Sequence, residues 1–224
     1  RFWSTAWCLC RWCKPMSAVQ PDLADGATRT LATFSAGLTY DKLPATVSRH
    51  LKQSILDGIG CMVHGAALPW TQKIASMVQA EGGRPEASLF DASAKVPAAA
   101  AALVNGTAGH AFELDDIHRD SIIHPNSLTL SVAFALAERN GGCSGRDFIT
   151  AVAAGYEIGA RIGAAAGPGL LLAGFHPQGT TGTFAAAATA AHMLGLNADA
   201  TLHALGTAGS LGAGLMAAQE GAMV

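Results

Sequence analysis

The chain has 224 residues, enough for one substantial core, and a formal net charge of −2 with only 13% Asp, Glu, Lys and Arg. No basic block stands out, which excludes the electrostatic footprint of a nucleic-acid binder. Half the residues are apolar. Even so, no run approaches the roughly 18 uninterrupted apolar residues of a membrane span. The nearest, residues 151–174, carries Glu157, Arg161 and Pro168.

Residues 1–16 differ from the rest. They hold Trp3, Trp7, Trp12, Cys8, Cys10 and Cys13, and Met16 opens a more ordinary sequence. The expectation is a leader that is non-native or unstructured. A zinc site on its Cys-x-Cys-x-x-Cys spacing would lack a fourth ligand nearby. Beyond it only Cys61 and Cys143 remain, too few for a disulfide framework. The expected location is a reducing cytoplasm, or the mitochondrion in a eukaryote.

Asp22 can cap a helix carrying Leu23, Ala27, Leu31, Phe34 and Leu38, ended near Gly37. After Pro44, Val47, Leu51, Ile55, Ile59 and Met62 recur at helical spacing as far as Gly65. A further helix is predicted over 69–80. Gly82-Gly83-Arg84-Pro85 then breaks the chain, and 87–90 can form a short strand.

Pro97 opens an Ala-rich helix predicted to run towards Leu114. Residues 115–126 read as a loop closed by His124-Pro125, because a residue before Pro avoids the helical region. Ser127 is the predicted cap of the next helix, to about Arg139. Ser144 with Asp147 starts another, to about Ala166. Gly155, Gly159 and Gly163 form a small-residue stripe on it, which suits a closely packed neighbour. After Gly167-Pro168-Gly169, helices are predicted through Phe184 to Gly195 and from Ala198 towards Ala218. With no period-two series, the fold class is all-α, a multi-helix array with at most a very short strand.

The chemistry is concentrated in His110–His124. This segment holds Glu113, Asp115, Asp116 and Asp120 beside His110, His118 and His124. Groups that titrate on both sides of neutrality suit proton transfer. Three readings of these residue types stay open. Asp116, His118 and His124 could hold a divalent metal, though the spacing matches no common motif. His124, fixed by its His-Pro step and tuned by a carboxylate, could act as an acid/base. The segment could also be a solvated acidic loop. A second cluster, His176-Pro-Gln-Gly-Thr-Thr-Gly182, precedes a helix whose free N–H groups could bind a carboxylate or phosphate. His50, His64, His192 and His203 read as structural.

With both clusters on the page, the chain resembles the MmgE/PrpD family, which includes 2-methylcitrate dehydratase and cis-aconitate decarboxylase. The matching features begin with Leu43-Pro44, Asp57-Gly-Ile-Gly-Cys61 and Asn105-Gly-Thr-Ala-Gly-His110. They continue with Leu114-Asp115-Asp116, Ser121-Ile-Ile-His124-Pro125, Gly174-Phe-His176 and Gly182-Thr-Phe-Ala-Ala. The resemblance implies a helical domain over 17–224, truncated on its C-terminal side, without the family's α/β lid. It implies a homodimeric lyase acting on a small di- or tricarboxylate, with no cofactor, metal, nucleic acid or membrane. His124 and Glu113 fall on catalytic positions, and His176, Asp116, Ile117, Gln178 and Gly179 on the substrate side. Glu113 stands where an Asp is usual. Ile117, expected buried, stands where a Thr is usual. An active-site Lys is expected shortly after Val224. Epimerisation at a carbon α to a carboxylate is the alternative reaction, and an inactive fragment with only dimerisation or structural capacity the alternative state.

Overall fold

The computed structural model describes residues 26–217, so the leader and the cap at Asp22 lie outside the described residues. Within them the chain forms nine α-helices and one two-stranded ribbon, in the order α1 (Ala27–Ala36), α2 (Ala45–Ala66), α3 (Pro69–Glu81), β1 (Ala87–Ser88), β2 (Lys95–Val96), α4 (Ala98–His110), α5 (Pro125–Arg139), α6 (Gly145–Leu172), α7 (Pro177–Thr180), α8 (Gly182–Met193) and α9 (Ala198–Leu211). No helix among the described residues is long and apolar enough to cross a membrane.

Helix α2 follows its apolar period and buries Leu51, Cys61 and Met62, while Val47 at its start stays exposed. Helix α4 is apolar on every side, so it must be covered on more than one. It lies between α2 and α5. Helix α5 is the hub and also packs on α6, α8 and β1. Leu51, Met62, Leu130, Ile149 and Val152 form one core cluster. Val78, Leu89, Val96 and Val104 form a second under the ribbon, where Ala87 pairs with Val96. Ala32, Ile158, Ala188 and Leu205 form a third. Each fully buried Met, Leu or Ile contributes about 1.5–3 kcal/mol.

The glycine stripe of α6 does what its spacing implies. A Cβ at Gly155 would sit 2.1 Å from Thr189 Oγ1 and one at Gly159 2.7 Å from Ala185 Cβ, so both positions let α8 approach closely. At Gly163 the close neighbour is Ser121 of the acidic loop, 2.5 Å from such a Cβ. The stripe therefore seats the functional loop as well as a helix.

Several boundaries differ from expectation. Helix α4 stops at His110 rather than near Leu114. Helix α5 begins at Pro125, with His124 as its cap residue, because Pro fits a first turn whose N–H needs no partner. The predicted break at Gly167 is present as a kink, after which helical backbone resumes to Leu172. Helix α9 ends at Leu211, and residues 212–216 turn back so that Leu215 bridges Phe175. Leu211 and Leu215 are 70% and 60% exposed.

Candidate active site

The loop between α4 and α5 is shaped by two non-glycine residues in left-handed backbone. Glu113 has φ 53° and Ile122 φ 54°. For a β-branched residue this is a strained conformation, of the kind that persists where the surroundings impose it. The surroundings here are a small hairpin in which His118 N–H donates to Ile123 O and Ile122 N–H to His118 O, both at 2.9 Å. The Ile123 side chain is fully buried as its anchor. The result is that successive acidic residues point to different places.

Asp115 turns inward, its side chain fully buried, and one oxygen serves two imidazoles. Its Oδ1 lies 3.0 Å from His110 Nδ1 and 3.2 Å from His124 Nδ1. The two rings stand 4.5 Å apart, centroid to centroid. Burial pushes the Asp115 carboxyl up, but hydrogen bonds from His110 and His124 outweigh it and leave the group below its usual range. Burial likewise opposes charge on His124. The hydrogen bond and charge of Asp115, and then the charge of Glu113, raise it above an ordinary imidazole nonetheless. Asp115 Oδ2 is buried without a hydrogen-bond partner among the described residues.

Glu113, expected at a catalytic position, places Oε1 3.6 Å from His110 Nε2 and is 38% exposed. Asp116, expected on the substrate side, is turned away from it: Oδ1 accepts from the Asn126 N–H at 2.9 Å and Oδ2 lies 2.6 Å from the Tyr156 hydroxyl. Ile117 is 60% exposed rather than buried. His118 Nδ1 contacts Ser121 Oγ at 2.8 Å inside the hairpin. Asp116, His118 and His124, the grouping of the metal reading, do not converge; His110, Asp115 and His124 do, with side-chain atoms within 4.8 Å of one another.

The second cluster meets the first. Gln178 Oε1 accepts the His124 N–H at 2.8 Å, while its Nε2 donates to His124 O at 3.1 Å and Ser127 Oγ at 2.9 Å. The amide thus clamps the backbone of His124 across 54 residues of sequence. His176 caps α7, which is only four residues long. The helix that this segment opens is short, since the chain turns again before α8. Burial lowers the His176 pKa, and the nearby His110 lowers it further. Gly179 admits the returning 213–214 segment, because a Cβ there would lie 2.2 Å from Ala213 O.

His110, Glu113, His176, Gln178 and Gly179 line one cleft of about 550 Å³ with an apolar far wall of Leu103, Leu128, Val132 and Ala186. His110 forms the lining, and His124 packs against its ring. The described residues 29–217 all fall inside a match to the MmgE/PrpD N-terminal domain, which covers residues 29–224.

The chain belongs to the MmgE/PrpD family.

Among its relatives, the cis-aconitate decarboxylase-like protein oryM of Aspergillus oryzae is 36% identical over 204 residues, covering 88% of this chain and 42% of that protein. The cis-aconitate decarboxylase of Aspergillus terreus is also 36% identical, over 89% of this chain and 42% of its own length. The human cis-aconitate decarboxylase is 31% identical over 81% of this chain and 38% of its own length. The chain thus spans about two-fifths of the length of the relatives it matches.

In this MmgE/PrpD chain the sequence reading had not singled out His110, Asp115, Tyr156 or Asn126. His110 and Asp115 were visible as members of the acidic cluster. Tyr156 sits in the middle of α6, and nothing local marks it as a partner of a loop forty residues earlier.

Proposed function

We propose that the full-length protein is a decarboxylating lyase acting on a small tricarboxylate of the cis-aconitate type. The observation that carries this reading is the buried Asp115 shared by His110 and His124, set at a cleft that His176 also lines. The relatives' names supply the substrate class.

In such a reaction the bond to the departing carboxylate breaks and its electron pair stays on the unsaturated acid. A proton must then reach carbon. His124, biased towards its charged form, is the donor in this reading, and Asp115 positions it. His176, biased towards its neutral form, offers a ring N–H to a substrate carboxylate. Glu113 stands at the rim beside His110, and its charge favours the charged state of His124. Gln178 supports the site by holding the His124 backbone. A homodimer belongs to the same reading and is checked by light scattering.

The test is a substrate panel on the full-length gene product. Cis-aconitate should release carbon dioxide, whereas 2-methylcitrate should show little loss of water. Dehydration without gas release would move the assignment to an elimination. Inversion of a stereocentre without either would favour the epimerase reading.

A further inference from the structure

The polar groups around Asp116 cannot all be satisfied with the usual number of protons. Tyr156 Oη lies 2.6 Å from Asp116 Oδ2 and 2.6 Å from Asn126 Oδ1. A phenol has one proton and can serve only one of these oxygens. The Asn126 amide cannot be reversed to supply another, because its Nδ2 donates to the Ser54 carbonyl at 2.8 Å. Reversal would set two oxygens against each other there. Asn126 is fully buried, and an unpaired polar contact at such a place is costly. The chain therefore needs a second proton. Of the two oxygens beside the phenol, only the carboxylate can carry one near neutral pH.

We propose that Asp116 stands in the folded protein as a neutral carboxylic acid and acts as a positioning residue for His124. Its Oδ2–H donates to Tyr156, Tyr156 donates to Asn126 Oδ1, and Asn126 donates to the Ser54 carbonyl. One proton thus ties the loop, α6, α5 and α2 together. The other oxygen accepts the Asn126 N–H, an open donor in the first turn of α5. His124, the helix's own cap residue, makes no side-chain cap bond, so Asp116 caps α5 from the loop. The start of α5, which carries His124, is held in this way.

The surrounding groups agree with this assignment. Burial pushes the Asp116 carboxyl up and, with the adjacent charge of Asp115, outweighs the pull of the Tyr156 and Asn126 hydrogen bonds and of His124 towards the charged form. Tyr156 is likewise held protonated by burial. The other titratable groups facing this point are Asp57 and Cys61 on α2 and His124 at the start of α5. Cys61 is pushed up to about 11, first by burial and then by the charges of Asp57 and Asp115. Neighbouring carboxyls in opposite protonation states divide the work: Asp115 serves the imidazoles and Asp116 the scaffold.

The protonation state does not depend on the proposed reaction. Only its consequence at His124 rests on that reading. The test compares Asp116→Asn with wild type in the full-length gene product by thermal unfolding from pH 5 to pH 7. The unfolded chain releases the Asp116 proton near about pH 4, while the folded chain keeps it. Wild type should then lose about tenfold in its folding constant per pH unit until the folded group also titrates. The Asn variant reproduces the neutral acid and lacks this loss, so its stability relative to wild type should rise with pH. Asp116→Ala should be less stable than Asn throughout, because it leaves the Asn126 N–H without an acceptor and the Tyr156 oxygen without a donor. Wild type should also show a carboxylic-acid carbonyl infrared band at neutral pH that Asp116→Asn lacks. An Asn variant that does not fold, or whose relative stability falls as pH rises, overturns the proposal, as does absence of the band. If the protein proves inactive on cis-aconitate, these readouts still decide the proton on Asp116.

Discussion

Replacing Asp115 by Asn keeps the shape of the side chain that two imidazoles share and removes its charge. In the structure Oδ1 lies 3.0 Å from His110 Nδ1 and 3.2 Å from His124 Nδ1, with the side chain fully buried. Hydrogen bonds to charged groups contribute about 1.5–3 kcal/mol and neutral ones about 0.5–1.5. The substitution should therefore cost about 1 kcal/mol per imidazole, or roughly 2 kcal/mol of stability. The pH window follows from the directions of the two shifts. Asp115 is depressed, so its contribution is present above about pH 4 and is lost as pH falls through its folded value. His124 is raised, so its contribution is present below about pH 6.5 and is lost as pH rises through its folded value. The destabilisation should therefore be largest between those limits. If His124 delivers the proton, turnover should fall about 5- to 30-fold, the equivalent of about 1 to 2 kcal/mol at 1.4 kcal/mol per factor of ten. The alkaline limb of the rate profile should also move to lower pH. Thermal unfolding and kcat as a function of pH measure the two effects. An Asn variant with unchanged kcat and an unmoved alkaline limb would refute Asp115 as the partner of His124.

Gln178→Leu should lower the melting temperature and kcat together. It leaves the His124 N–H and carbonyl without the amide that holds them, at about 1–3 kcal/mol for each buried group. Gly65→Ala should destabilise the chain by roughly 1–3 kcal/mol, because its Cβ would fall 1.8 Å from the Ala108 carbonyl and force α2 from α4. Calorimetry would detect this change, and a melting temperature equal to wild type would show that the two helices are not held this close.

The helical array was legible where the apolar period was clean, as in α2 and α3, or where turn residues punctuated it, as at Gly141-Gly142 and Gly167. It was less legible in α4. That helix is apolar all round, so no periodicity marks where it stops. It ends at His110, and left-handed backbone follows at Glu113, which no local residue type announces. The β2 strand is two residues long and pairs with β1 through a register that only the folded hairpin defines. The end of α9 depends on residues 212–216 meeting the Gly174–Gly179 region, a contact distant in sequence.

For the site, the sequence identified the acidic loop and the His176 segment, and the fold brings both to one cleft. It did not reveal which carboxylate faces which partner. Glu113, Asp115 and Asp116 lie within four residues of one another, yet they serve the cleft rim, two imidazoles and a phenol. Their directions follow from the strained backbone at Glu113 and the anchoring of Ile123, neither of which a pattern of residue types encodes.

The central claim is that His124, held by Asp115 and Gln178 behind the His110 wall of the cleft, moves the proton on which turnover depends. The most direct measurement is decarboxylation of cis-aconitate by the full-length gene product with His124→Asn, alongside its melting temperature. A fall of about 10² to 10⁴ in turnover, with the fold retained, is the predicted result. A folded variant that turns over as fast as wild type would contradict it.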